Sequence, residues 1–260
     1  MFRHLVLALA LASSLSCSLP ASARDIVEID VIDRDNGQWL PEYRHRGQEW
    51  IAGVPGHRYS IRLANTSGER VLVVLSVDGV NAVTGQTASP SQGGYVLEPW
   101  ESAEIAGWRK SLHDIAQFVF TDLPDSYAAR TGRPDNVGVI GIAVFRERQV
   151  RPVYSPLPAP PIASGRAREQ ASAKAAAPAA DSAMAEAAPQ RLGTGHGQRE
   201  WAPVGQTDFV RATRSPQQLS QLRYDDADTL VAIGVLPRWH PPHARSAPRA
   251  FPNGSVQDPP

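Results

Sequence analysis

The sequence predicts a mainly β protein: an antiparallel, jelly-roll-like β-sandwich, followed by a disordered linker and a short C-terminal β-meander. Three observations predict this class. Short runs of alternating apolar and polar residues recur through the front half, and Gly, Pro and Asn turns separate them at short spacing. A stretch rich in Ala and Pro then interrupts the pattern before it resumes near the C-terminus.

The strongest local signal is a predicted hairpin over residues 59–77. Residues 59–63 alternate apolar and polar side chains, which is typical of a strand with one buried face. Residues 71–77 are almost entirely aliphatic, which indicates a strand buried on both faces. Asn65 to Gly68 provide the turn between them.

Further strands are predicted from their β-branched and aromatic content and from the turn residues that bound them. They are residues 26–33, 49–52, 95–97, 103–108, 115–121 and 137–147. Residues 125–130 predict a helical turn with Asp125 as its N-cap. Residues 24–153 are therefore expected to form one sandwich domain.

The N-terminus predicts export. Arg3 and His4 precede an apolar run over residues 5–19, and the small residues that end at Ala23 fit a signal-peptidase site, so residues 1–23 are expected to be a cleaved signal peptide. A lipoprotein anchored through Cys17 is the alternative, although Ser14 stands where such a signal favours Leu. The expected location is periplasmic or secreted.

Composition excludes several function classes. Cys17 is the single cysteine, so a chain cleaved after Ala23 has no disulfide, thiolate metal site or cysteine nucleophile. The formal net charge is zero, with 26 basic and 26 acidic residues, and no basic cluster indicates nucleic-acid binding. No later segment is apolar for long enough to predict a membrane span.

The C-terminal part predicts a linker, a second ordered block and a tail. Residues 154–191 are dominated by Ala and Pro and carry no apolar face, so they are expected to be a disordered linker. Residues 192–237 predict strands over 199–204, 218–224 and 230–236, with a hairpin turn at 225–228. This meander is too small to be stable alone and is expected to dock on the front domain or on a partner. Residues 238–260 predict a disordered tail.

A resemblance rests on four motifs: GVIGIAVF at 138–145, DSYA at 125–128, SVDG at 76–79 and GTGHGQRE at 193–200. With these motifs the chain resembles an uncharacterised family of exported proteobacterial proteins that share a β-rich front domain, an Ala/Pro linker and a C-terminal block beginning with GTGHG. The resemblance implies this organisation and the exported location, and it carries over no catalytic residue.

Five residues are candidates for ligand binding: Asp78, Asn81, Trp100, Trp108 and His196. Asp78 and Asn81 follow the strand 71–77, and with the polar loop 86–94 they predict a rim to which the GTGHG block docks. Trp100 and Trp108 flank polar loops and are expected to be exposed for sugars or peptides. His196 projects from a glycine-rich loop, either as a metal ligand or base or as a structural hydrogen-bonding group.

Other motifs have plainer explanations. His240 and His243 would add imidazoles to a metal site, but they lie in the predicted tail. Asp33 and Asp35 resemble the start of a calcium loop, yet the distal Glu is missing and a hairpin turn explains them. Ser126 fits a helix cap better than a hydrolase nucleophile, because no GxSxG motif is present.

The sequence therefore predicts a non-catalytic envelope protein, a periplasmic module that binds a protein or glycan partner. No cofactor and no resident metal are expected. The alternative is a metal-dependent hydrolase that uses His196. The residues leave open which ligand is bound and whether the chain has any catalytic activity.

Overall fold

The computed structural model describes residues 25–149 and 190–238. Within them 48% of residues are in strands and 9% in helices, which confirms the predicted mainly β class. The expected signal peptide with Cys17, nearly all of the expected linker, and the tail with His240 and His243 lie outside the described residues.

Two seven-stranded sheets face each other. The strands are β1 (Val27–Asp33), β2 (Gln38–Trp39), β3 (Tyr43–His45), β4 (Gln48–Gly53), β5 (Arg58–Asn65), β6 (Val71–Val77), β7 (Val80–Asn81), β8 (Tyr95–Leu97), β9 (Ser102–Ile105), β10 (Gly107–Arg109), β11 (Asp114–Asp122), β12 (Val139–Arg146), β13 (Leu192–Trp201) and β14 (Gln218–Asp226). Two short α-helices, α1 (Tyr127–Arg130) and α2 (Ala227–Ala232), and two 3₁₀ turns complete the described elements. None of the described helices has the length and apolar character needed to cross a bilayer.

The first sheet, sheet A, has the order β10-β11-β5-β1-β2, with β13 paired to β11 and β9 paired to β5. Sheet B has the order β3-β4-β14-β12-β6-β7, with β8 paired to β6. The pairing of β14 with β4 is parallel, whereas the other strand pairings between described residues are antiparallel. Neither sheet closes on itself.

The core forms where alternate side chains of the two sheets meet. Tyr59, Ile61 and Leu63 of β5 are fully buried, as their alternation predicts, and Val73 and Leu75 of β6 face them from sheet B. The predicted hairpin over residues 59–77 is therefore wrong: β5 and β6 lie in different sheets, and the turn between them connects the two layers of the sandwich. A second, smaller apolar cluster lies on the other face of sheet B, so β6 is buried on both faces as predicted.

The C-terminal block is part of the sandwich, and its two strands do not pair with each other as the predicted meander requires. β13 pairs with β11 in sheet A, and β14 lies between β12 and β4 in sheet B. Each strand therefore gains a partner from residues that precede the linker. Local sequence pattern could not predict this, because both pairings join residues about seventy or more positions apart.

Two C-terminal elements differ from prediction. The GTGHG residues lie in strand β13 and not in a loop, because their glycines fit against neighbouring side chains: a Cβ on Gly193 would stand 2.6 Å from the Ser126 Cβ. The predicted strand 230–236 is not formed: residues 230–232 end helix α2 and residues 233–236 form a turn after it, since Asp226 caps the helix through a 2.9 Å bond from the Thr229 amide. The predicted hairpin turn at 225–228 is therefore the start of that helix.

The helical turn near residue 125 is present, but its cap differs. Helix α1 begins at Tyr127, and the Ser126 hydroxyl accepts the Ala129 amide at 3.2 Å. Ser126 is buried and performs the capping role, while Asp125 belongs to the preceding 3₁₀ turn.

Candidate functional site

Asp78 holds the C-terminal block at the end of strand β6. Its backbone has a φ of 53°, in the left-handed region that non-glycine residues seldom adopt, and its side chain is fully buried. One carboxylate oxygen accepts from the Tyr224 hydroxyl at 2.5 Å and from the Gly138 amide at 2.9 Å, and the other accepts from the Thr194 amide at 2.7 Å. The GTGHG block thus docks at the predicted rim residue.

The hydroxyls around Asp78 form a buried chain. The Thr194 hydroxyl lies 2.6 Å from the Tyr224 hydroxyl and 2.5 Å from the Tyr59 hydroxyl. With Asp78 ionised, every proton has an acceptor: Tyr59 donates to Thr194, Thr194 to Tyr224, and Tyr224 to the carboxylate. Burial raises the pKa of Asp78 to about 6, against the opposing effect of these hydrogen bonds. Burial likewise raises the pKa of both tyrosines.

Asn81 is a structural residue that shapes the loop after β7. It is fully buried. Its side-chain oxygen accepts the Val83 and Thr84 amides at 2.7 and 3.0 Å, and its amide nitrogen donates to Gln92 and to the Gly93 carbonyl. Asp78 and Asn81 therefore cannot touch a ligand from solvent, although Asn81 holds Val83, Thr84 and Gly93 in place.

A wide opening lies between β8 of sheet B and strands β9 and β10 of sheet A. It is a cavity of about 1190 Å³, called the groove below. Its walls come from β8, from β9 and β10, and from residues 202–211, called the strap, which cross from sheet A to sheet B. The lining residues fall in the ranges 83–84, 93–97, 101, 103–105, 109–112 and 202–208.

The strap is fastened at both ends. Near its start the Ala202 and Val204 amides donate to the carbonyls of His113 and Leu112 at 2.7 and 2.8 Å. Near its other end Arg70 donates to the Thr207 hydroxyl at 2.6 Å. These contacts hold the strap across the groove.

The apolar end of the strap packs on sheet B. The Phe209 ring lies against the outer apolar cluster that contains Leu72, Val74 and Phe145. The Arg211 guanidinium stands 4.1 Å from the centre of the Phe145 ring. The strap thus covers apolar surface on the face of sheet B that points away from the core.

Tyr95 and Arg109 bring buried polar atoms to the groove wall. The Tyr95 hydroxyl and the Arg109 Nε are buried, and apart from the contact between these two side chains neither atom has a hydrogen-bond partner among the described residues. Burial raises the pKa of Tyr95, and the hydrogen bond and positive charge of Arg109 oppose that rise. Arg109 donates through Nη1 to the Ala202 carbonyl, so it also supports the strap. Buried atoms of Trp50, Ser60 and Trp108, away from the groove, also lack a partner among the described residues, so such atoms are not confined to this wall.

Trp100 is exposed, as predicted, and its backbone is strained. The indole is 69% exposed, and φ is +64° in the turn that joins β8 to β9. The Glu101 amide closes this turn on the Glu98 carbonyl at 3.1 Å, with Pro99 second and Trp100 third, which matches a type II turn. Glycine is the usual residue at that position. A tryptophan held there at a cost to stability is a functional indication.

Trp108 and His196 are separated from these features. Trp108 is only 2% exposed, so its predicted exposure is wrong: strand β10 directs it into the core, where it meets Phe118 edge-on at 4.8 Å. His196 is exposed at the edge of sheet A, and its ring lies 5.7 Å from that of Tyr127. His196 and Trp100 remain accessible, whereas Trp108 is a core residue.

One group of side chains has metal-ligand character within the described residues: Asp33, Asp35 and His57. Asp33 is buried and already accepts the Asp35 amide at 2.9 Å and the His57 ring at 2.7 Å. Asp35 forms an ion pair with Arg58 at 2.5 Å, which lowers its pKa. These bonds stabilise the hairpin turn between β1 and β2, in agreement with the interpretation from sequence. His196 does not belong to this group.

Sequence reasoning missed Tyr95, Arg109 and the strap. A tyrosine and an arginine on short strands have no distinguishing pattern, and the strap reaches them from about a hundred residues away. The sequence did indicate Trp100, which is exposed and lies in a turn as its polar surroundings predict.

Comparisons with protein-family models, with curated proteins and with solved structures return no match to the chain. The site is therefore interpreted from its own geometry.

Proposed function

We propose that the chain is an exported, non-catalytic binding module of the bacterial envelope, with the groove as its ligand site. The observation that carries the proposal is the cavity of about 1190 Å³, whose wall is formed by the strap and by strands β8 and β9, each paired on one side only among the described residues. Small-molecule sites commonly occupy roughly 300–1,000 Å³, so this groove suits a ligand that is extended.

Strain at Trp100 supports binding. The turn that joins the groove walls β8 and β9 holds an exposed indole in a conformation that favours glycine. Tryptophan is among the side chains that contribute most to binding interfaces. The indole lies beside Gly68, in the turn between β5 and β6, and does not line the groove, so it would contact only a ligand that extends beyond the groove.

Export is proposed from the N-terminal sequence and from the family resemblance. The test is expression of the full chain in a Gram-negative host, followed by cell fractionation and intact-mass analysis. The proposal expects periplasmic or secreted protein whose first residue is Arg24. Cytoplasmic protein that retains residues 1–23 contradicts it.

Binding is tested by saturation-transfer NMR of the mature protein with four probe classes: short synthetic peptides, chito-oligosaccharides, muropeptides and fatty acids. Gln206→Trp fills the groove from an exposed strap position that lines it. Gln198→Trp adds the same ring at an exposed position on β13 outside the groove. We expect at least one class to give a signal that Gln206→Trp removes and Gln198→Trp keeps. Signals that are absent, or that both variants keep, contradict the proposal.

A further inference from the structure

We infer that the groove takes an extended peptide segment, which adds antiparallel to strand β8 with a negatively charged carboxyl end against Arg109 and Lys110. This inference rests on the proposed function, because it names the ligand class of the same groove. It is carried by three features of the walls: which residues line them, which strand edges are paired, and how charge is distributed.

The first feature is that consecutive residues line the groove. Tyr95, Val96 and Leu97 of β8 all border it, and so do residues 103–105 of β9. Successive side chains of a strand point to opposite faces, so a cavity that lies against one face is lined by every second residue. A cavity bordered by three in a row therefore also touches the backbone of the strand, so backbone atoms of β8 and β9 form part of the groove wall.

The second feature is that one edge of each of these strands is unpaired among the described residues. β8 pairs with β6 and β9 pairs with β5, each on one side only. The other edge of each strand carries backbone N–H and C=O groups without a strand partner. An extended peptide satisfies such groups by adding a strand, and this is an established mode of peptide recognition.

The third feature is that positively charged side chains lie at the start of β8. β8 begins at Tyr95, which lies beside Arg109, and ends at Leu97, which leads through the turn to Glu101. Arg109 and the exposed Lys110 form no ion pair within the described residues, so positive charge is available at the start of β8. A carboxylate placed there gives the peptide a direction opposite to that of β8. Antiparallel pairing is the more stable arrangement.

A glycan is less well matched to these walls. Sugars stack on flat aromatic faces, but among the described residues Tyr95 is the single aromatic that lines the groove, and its hydroxyl is buried. The rest of the lining is backbone edge with small aliphatic and charged side chains. Main-chain hydrogen bonding therefore explains the wall better than ring stacking.

The test selects a phage-displayed library of random twelve-residue peptides on the immobilised mature protein. The enriched sequences are then made as synthetic peptides and titrated into ¹⁵N-labelled protein. We expect amide shifts concentrated at residues 95–97 and 103–105. N-methylation of alternate peptide residues should abolish binding in one register and leave it nearly intact in the other, because alternate backbone groups face opposite sides of a strand.

The carboxyl end is tested separately. Amidation of the peptide C-terminus should weaken binding about fivefold at low salt, the size of one exposed ion pair. Lys110→Gln should cause a similar loss for the free acid and none for the amide. Glu101→Gln, at the opposite end of β8, serves as the matched control and should not reproduce that pattern. Equal losses for acid and amide overturn the proposed direction.

The outcomes separate the two proposals. If a glycan or fatty acid binds the groove and no peptide does, the peptide inference fails and the binding function stands. If no probe of any class depends on the open groove, both fail. Peptides that enrich but shift residues elsewhere, or that tolerate N-methylation in both registers, also overturn the inference. The thermal melt of each variant is compared with that of the native chain, and Gln198→Trp controls for the added ring.

Discussion

The Tyr224 hydroxyl donates a 2.5 Å hydrogen bond to the Asp78 carboxylate, and both side chains are fully enclosed between the two sheets. The two residues are 146 positions apart in the chain and lie on opposite sides of the predicted linker. A short bond of this kind in a dry interior ties the C-terminal block to the front of the sandwich. It also makes stability depend on the charge of one carboxyl group.

The first prediction concerns pH. Burial raises the pKa of folded Asp78 to about 6, whereas an unfolded Asp has a value near 3.9. The folded chain therefore holds this proton over a pH range in which the unfolded chain has lost it. The free energy of unfolding should fall as pH rises from about 4 to about 6, by up to roughly 3 kcal/mol from this group.

Asp78→Asn removes the titrating group and should flatten that dependence. Urea denaturation of both proteins at pH 4, 5, 6 and 7 measures the difference. Other carboxyls with shifted pKa values, such as that of Asp225, are common to both proteins and cancel in the comparison. The same slope in both proteins would show that Asp78 does not titrate in this range.

The second prediction compares the two ends of the hydroxyl chain. Tyr224→Phe takes a donor from Asp78 and an acceptor from Thr194, so it should lower the free energy of unfolding by about 2–3 kcal/mol. Tyr59→Phe removes one donor to Thr194 and should lower it by about 1 kcal/mol. Urea denaturation at pH 7 measures both losses. An equal or larger loss for Tyr59→Phe contradicts the proposed direction of donation.

The third prediction concerns the glycines of the GTGHG block. A Cβ on Gly193 would lie 2.6 Å from the Ser126 Cβ and 2.7 Å from a Val137 methyl, so Gly193→Ala should lower the free energy of unfolding by about 1–3 kcal/mol. Gly205 on the strap has no atom within 4 Å of such a Cβ, and Gly205→Ala should be nearly neutral. Thermal melts of the two variants provide the comparison. Similar melting temperatures would show that close packing does not require Gly193.

The fourth prediction concerns the strained turn. Trp100→Gly should raise the free energy of unfolding by about 1 kcal/mol relative to Trp100→Ala, because Ala keeps a Cβ in the left-handed region and Gly does not. Both variants lose the indole, so both should bind more weakly a ligand that extends beyond the groove to this turn. Denaturation and titration of the two variants separate strain from binding. Equal stability of the Gly and Ala variants would mean that the turn is not strained.

Most strands could be predicted because their signals are local. The alternation in β5 and the aliphatic run in β6 are properties of a few neighbouring residues, and burial follows directly from them. Helix α2 was missed because the apolar run Leu230 to Ile233 fits either a helix or a strand. The Asp226 and Thr229 spacing, which caps the helix, was the signal that distinguishes them.

The site was harder to predict because its parts come from distant segments. The exposure of Trp100 could be predicted from its neighbours, since Pro99 and Glu101 place it in a turn. The groove needs β8, β9 and the strap together, and no periodicity at Tyr95 or Arg109 indicates that residues 202–208 will approach them. Asp78 shows the converse: its polar turn predicted a rim surface, whereas docking of Thr194 and Tyr224 buries it.

The groove depends on the position of residues 190–238, because the strap crosses it only if these residues complete both sheets. The direct measurement introduces a specific protease site within residues 154–191, cleaves the purified chain, and passes it over a gel-filtration column under native conditions. We expect the two pieces to elute together at the volume of the intact chain and to separate only in denaturant. Separate elution of a folded front piece and a free C-terminal piece would contradict this arrangement.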